Sequence, residues 1–127
     1  HAAWFRAGCQ ENEVSLIDLH HWGCAFGQRP GELATAEMFA SGKIPDLIIA
    51  EDDYVACGIL KVMRREKLEI PLITVGGFLK HLYPLSEFPA IDLNYRKTGH
   101  AAAELLLKAL AGESRYGHIQ IESDFYE

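Results

Sequence analysis

Apolar and polar positions change period along the chain in a way that alternates helix with strand. Ala2 to about Asn12 follows a helical spacing, and Val14 to Leu19 is an apolar run with β-branched members, which predicts a strand. The turn-rich stretch Gly23 to Gly31 leads into a helix with Leu33, Ala36, Phe39 and Ala40 on one face, Pro30 in its first turn and Gly42 placed to end it. Past Pro45, the stretch Asp46 to Ala50 is apolar on consecutive residues from Leu47 on, the pattern of a parallel strand covered on both faces. Asp52 or Asp53 can cap the next helix, whose predicted buried stripe is Val55, Ile59, Leu60 and Met63. Its C-terminal half carries Lys61, Arg64, Arg65 and Lys67, which complement the helix dipole.

The second half repeats the scheme. Leu72 to Val75 reads as a buried strand ended by Gly76 and Gly77, and a loop or short helix with Tyr83, Pro84, Phe88 and Pro89 follows. Ile91 to Leu93 is a brief strand. Asn94 is placed to cap the longest helix, whose apolar positions Ala102, Ala103, Leu106 and Leu110 precede a stop at Gly112, and Ile119 to Ile121 is the predicted last strand. Strands alternating with helices at short spacing imply an α/β fold, a mostly parallel sheet flanked by helices. Ligands of such sheets bind outside the carboxyl ends of the strands, which singles out Asp18 to Phe26, Glu51 to Tyr54 and Gly76 to His81.

Length and composition narrow the partners. The chain has 127 residues, 49% of them apolar, which suits one domain with a sizeable core. A formal net charge of -6 with no basic stripe argues against direct contact with nucleic acid. The apolar runs fall far short of the roughly 20 residues that cross a bilayer. Cys9, Cys24 and Cys57 are odd in number and suggest no disulfide framework, so a reducing cytoplasm is expected. The chain begins at His1 without Met, inside a helical pattern, and is expected to be a piece of a longer protein.

Several clusters admit more than one chemistry. Three carboxylates, Glu51, Asp52 and Asp53, at a strand end can hold Mg²⁺ or Ca²⁺, cap the next helix, or accept hydrogen bonds from a polyhydroxylated ligand; the cap needs nothing further. His20, His21 and Cys24 are zinc-ligand types at short spacing, but no second pair follows, and loop histidines are the simpler reading. No serine or cysteine lies in a nucleophile motif, so no enzyme is expected, and Gly76-Gly77 lacks the pattern of a phosphate cradle. No cofactor or metal is expected. Trp22, Phe78 and Tyr95 each follow a strand end, where their faces can stack on a sugar ring or simply belong to the core.

One segment is more specific. Pro45-Asp46-Leu47-Ile48-Ile49-Ala50-Glu51-Asp52-Asp53-Tyr54-Val55-Ala56-Cys57-Gly58 resembles the run P-D-A-I-F-A-x-N-D-x-M-A-x-G of the lactose/galactose-repressor family. A basic helix, a proline, Ile73-Thr74-Val75-Gly76, a proline-bearing loop, and Gly99 with Ala102 to Leu106 follow in the family's order. The resemblance covers nearly the whole chain. It implies the C-terminal lobe of a type I periplasmic-binding-protein-like fold, residues 1-127 forming a single effector-binding lobe, with the N-terminal lobe and a helix-turn-helix DNA-binding domain upstream. The implied function is a cytoplasmic bacterial transcriptional regulator that binds a sugar or sugar derivative and touches operator DNA only through the missing part. A solute-binding component of a sugar transporter is the alternative, disfavoured by the cysteines and by the repressor-like stretch Tyr83 to Thr98.

The resemblance also assigns residues. Asp52 occupies the position of a ligand-contacting Asn, with Asp53 beside it, and Trp22 and Tyr95 fall where aromatics approach the ligand. Phe5 stands where an effector-binding Arg is usual, with Arg6 one place off, and Phe78 replaces the usual Asp. His21 joins them as an effector-binding candidate. Pairing of two lobes in a homodimer is implied through the helix after the second strand and the loop after the third, hence Cys57, Leu60, Leu82, Leu85 and Phe88.

Overall fold

The computed structural model describes residues 2–15, 27–79, 88–113 and 118–126. The predicted strand Val14 to Leu19 therefore lies largely outside the described residues, as do His20, His21, Trp22, Cys24, Leu82 and Leu85. In chain order the elements are α1 (Ala2–Glu11), α2 (Gln28–Ala40), β1 (Ile48–Ala50), α3 (Asp53–Glu66), β2 (Leu72–Gly76), β3 (Ala90–Asp92), α4 (Tyr95–Leu110) and β4 (Asp124–Tyr126).

The described strands form one sheet in the order β1-β2-β3-β4. β1 and β3 run parallel to β2, with Ile49 opposite Ile73 and Val75 opposite Ile91, while β4 returns antiparallel to β3, Phe125 opposite Ile91. One sheet face is dry. Ile48, Ala50 and Leu72 point into a core shared with Met38, Ala56, Ile59, Met63, Ile70 and Phe88, and Ala90 of β3 is buried as well. The opposite face is not covered in the same way: Ile49 is exposed and Ile73, Val75 and Ile91 are half-buried, so cover on both faces is not what the described residues provide.

α3 matches its predicted stripe closely, with Ala56, Ile59, Val62 and Met63 buried and Val55 and Leu60 packed at the core's edge. α2 does not. Its buried residues are Gly31, Ala34, Thr35 and Met38, whereas Leu33 is exposed and Ala36 and Phe39 are only half-buried. The reason is backbone proximity. A Cβ on Gly31 would stand 2.6 Å from the Val55 carbonyl oxygen, and one on Gly58 would collide with the Gln28 carbonyl oxygen. Two glycines thus let α2 and α3 touch through their backbones, and the buried face of α2 is made of the small residues Gly31, Ala34 and Thr35 together with Met38 rather than of Leu33 and Phe39.

The C-terminal part departs further from expectation. β3 is shifted one residue upstream of the predicted Ile91 to Leu93, and the last strand is Asp124–Tyr126 rather than Ile119 to Ile121. Asn94 precedes α4 in a left-handed conformation (φ 52°), but its side chain makes no cap; its amide donates to the Glu122 carbonyl oxygen (2.6 Å) and Asp124 Oδ2 (3.0 Å), anchoring the returning strand. α4 itself buries none of its residues, and Leu106, Leu107 and Leu110 are 60%, 65% and 76% exposed.

Candidate functional site

The carboxyl ends of β1, β2 and β3 open on one edge of the sheet, and the sequence places polar or aromatic residues at each. Asp52 ends the run from β1 in extended backbone, and its Oδ1 accepts a hydrogen bond from the Val55 N–H at 2.8 Å, which caps α3. Asp53 turns the other way. Only 3% exposed, it accepts from the Thr74 hydroxyl at Oδ1 (2.8 Å) and from the Leu79 N–H at Oδ2 (2.7 Å). The acidic trio is therefore divided between a cap, a tie from the start of α3 to β2 and its following turn, and an exposed Glu51, and among the described residues no group of His, Cys, Asp and Glu is arranged to hold a metal ion.

Gly76 (φ 145°) and Gly77 (φ 67°) turn the chain out of β2 in conformations that L side chains rarely adopt. A Cβ on Gly77 would also stand 2.9 Å from Asp92 Cα and Cβ, so this turn must pass close to the end of β3. The turn delivers Phe78, whose ring centroid lies 6.2 Å from that of Tyr54 in a tilted pair and 6.3 Å from that of Tyr95 in an edge-on pair. Such spacings are within the range of favourable aromatic contact. Each ring remains open to solvent, Tyr54 at 51%, Phe78 at 39% and Tyr95 at 48%. A side chain at Gly76 would lie 3.8 Å from the Tyr95 hydroxyl oxygen, so that hydroxyl sits close over the turn.

Three of the sequence-predicted site residues, Asp52, Phe78 and Tyr95, thus gather around neighbouring strand ends. Phe5 and Arg6 lie exposed on α1, and Phe5 takes no part in the ring contacts that join Tyr54, Phe78 and Tyr95. His21 and Trp22 fall outside the described residues. Tyr54 closes the strand-end stretch Glu51 to Tyr54 that topology points to, but the sequence gives it no ligand role of its own; its contact with Phe78 does. Asp92 was also passed over; it is fully buried and its Oδ1 accepts from the Asn94 N–H at 2.6 Å, fixing the exit from β3.

On α3, Cys57 and Leu60 are half-buried, and burial together with the charges of Asp53 and Asp52 pushes the Cys57 thiol above its ordinary pKa. Phe88 is seated in the core of its own domain. No helix among the described residues is long and apolar enough to cross a membrane.

Comparison with known proteins agrees with this architecture. Residues 3–122 match the family described as periplasmic binding protein-like domain. Catabolite control protein B of Bacillus subtilis (strain 168) is 29% identical over 117 residues, which are 92% of this chain and 36% of that protein. Among solved structures, a dimeric Lac repressor with a C-terminal deletion superposes with a TM-score of 0.83 at 16% identity, covering 99% of this chain and 47% of the repressor. A LacI family transcriptional regulator from Enterococcus faecium with bound ribose gives 0.78 at 17% identity, covering 97% and 47%. At these identities the structural likeness is one of fold, and the chain spans about a third of the curated relative and about half of the structures.

Proposed function

Since the chain belongs to the family of periplasmic binding protein-like domains, we propose that it is the effector-binding lobe of a bacterial transcriptional regulator of the lactose/galactose-repressor type. The observation that carries this reading is the open three-ring cluster of Tyr54, Phe78 and Tyr95 at the carboxyl ends of parallel strands, with Tyr54 two residues along the chain from Asp52. Aromatic faces meet the apolar side of a sugar-like ring while the free oxygen of Asp52 and the tyrosine hydroxyls meet its polar groups. A catabolite control protein among the relatives favours a regulator over a transporter component or an enzyme.

In this reading the N-terminal lobe and the DNA-binding domain belong to the rest of the protein, which is cytoplasmic. Two lobes pair through α3, with Cys57 and Leu60, and through the segment carrying Leu82 and Leu85, while Phe88 supports that segment from the core. Effector binding shifts the population between two lobe arrangements and so changes operator affinity.

Calorimetry of the full-length protein against D-ribose, other monosaccharides, sugar phosphates and nucleosides tests the assignment. One class is expected to bind, with Phe78→Ala weakening it at least tenfold, and the same compound is expected to change operator affinity in an anisotropy titration. Absence of binding by every member of the panel would refute it.

A further inference from the structure

Phe78 can serve as a ligand contact only if its loop is held, yet the loop starts with two consecutive glycines. Side chains cannot stiffen that turn, since both glycines have positive φ and Gly77 runs against Asp92. Rigidity has to come from outside the loop. The buried carboxylate of Asp53 is in the right place: Oδ1 takes the hydroxyl of Thr74, two residues before Gly76, and Oδ2 takes the amide of Leu79, two residues after Gly77. Both of its oxygens are engaged on opposite sides of the same turn, and its head lies over the turn, with a Cβ at Gly76 standing 3.7 Å from Oδ1. The neighbouring residue on α3 is Tyr54, the ring partner of Phe78.

We propose that Asp53 is the positioning residue of the effector site, a staple across the Gly76-Gly77 turn that sets where Phe78 stands and thereby holds Tyr54, Phe78 and Tyr95 as one ligand-facing surface. The effector role of that surface rests on the regulator reading above, whereas the staple does not. A different role for Asp53, charge alone at the start of α3, makes a distinct prediction. Asn is isosteric: its carbonyl oxygen can accept from Leu79 while its amide donates to the Thr74 hydroxyl, so the staple survives loss of charge.

Amide hydrogen exchange of the 76–79 segment in the full-length protein, with no effector added, separates these roles. Asp53→Ala is expected to speed exchange there at least tenfold, Thr74→Val several-fold, and Asp53→Asn less than twofold, while amides of β1 exchange as in the wild type. Thr74→Val keeps the test decisive if Asp53→Ala fails to fold. Exchange within twofold of wild type in Thr74→Val and in any folded Asp53→Ala protein would overturn the proposal, as would an Asn variant that exchanges as fast as the Ala variant. Because no ligand enters the measurement, its outcome is independent of whether the regulator reading stands.

Discussion

Replacing Gly58 by Ala is a sharp test of how α2 and α3 meet. In an open helix the change removes backbone entropy from the unfolded chain and stabilises by about 0.5–1 kcal/mol. Here the added Cβ would stand 2.7 Å from the Glu32 nitrogen and closer still to the Gln28 carbonyl oxygen. Ordinary carbon contacts begin near 3.4 Å and the Gln28 oxygen is the limiting contact, so α2 must retreat by more than about 1 Å, and its backbone can move only as a unit. A gap of 0.5–1 Å forfeits roughly a quarter to a half of each dispersion contact it opens, and here it opens along the line of Ala34, Thr35 and Met38. Overpacking of this kind costs about 1–3 kcal/mol, and a clash against backbone belongs at the upper end. Net destabilisation of about 2 kcal/mol is expected after the propensity gain is subtracted. Gly99 on α4 has nothing within 4 Å of its would-be Cβ, so Gly99→Ala in the same chain is expected to stabilise by about 0.5–1 kcal/mol. Urea unfolding of both variants measures the pair. Equal or greater stability in Gly58→Ala would refute the close backbone approach.

Other outcomes follow from the same geometry. Phe88→Ala, which empties a buried core position, is expected to cost about 3–5 kcal/mol in urea unfolding. Asp52→Ala should lose about 1 kcal/mol of cap energy while Asp52→Asn, which keeps an acceptor for the Val55 N–H, loses far less by the same measurement. Cys57 is held as the neutral thiol, chiefly by burial and then by Asp53 and Asp52; its raised pKa stabilises the fold below the ordinary thiol value, and that contribution is lost as pH rises through the folded value. Its alkylation by iodoacetamide, followed by mass spectrometry, should therefore reach half-maximal rate at a higher pH than an unfolded control. Glu32 is shifted the other way, first by its hydrogen bond to Lys61 (2.8 Å), so its contribution is present above the ordinary carboxylate value and lost as pH falls through the folded one. A carbon-detected NMR titration should show the Glu32 midpoint rise in Lys61→Met.

What could be read from the chain divides along the range of the interactions involved. β1, α3 and β2 were legible because each carries its signal locally: consecutive apolar residues in the strands, of which alternate members are buried, a stripe at helical spacing in α3 and a proper cap at Asp52. The buried face of α2 was not, because Gly31 and Gly58 decide it and a glycine carries no apolar signal. Ile119 and Ile121 drew the predicted last strand, yet the ladder forms at Asp124–Tyr126, which buries nothing and is tied down by Asn94 reaching across from the start of α4. Backbone pairing of an exposed edge strand leaves no hydrophobic period to find.

At the candidate site the same division decides which residues were found. Phe78 and Tyr95 follow strand ends and were visible from topology alone, whereas Tyr54 reads as an exposed helix residue until Phe78 is placed 6.2 Å away. Asp53 was read as an alternative cap because one Asp in that pair suffices for α3, and nothing local distinguishes the two. Only the return of the chain through Thr74 and Leu79, 21 and 26 residues later, gives Asp53 its partners. A buried carboxylate is costly unless it is hydrogen-bonded, and loss of either donor would leave an Asp53 oxygen unsatisfied. The turn after β2 and the start of α3 are therefore tied to one another through Asp53, so the exposed ring of Phe78 leaves a turn anchored on a buried side chain.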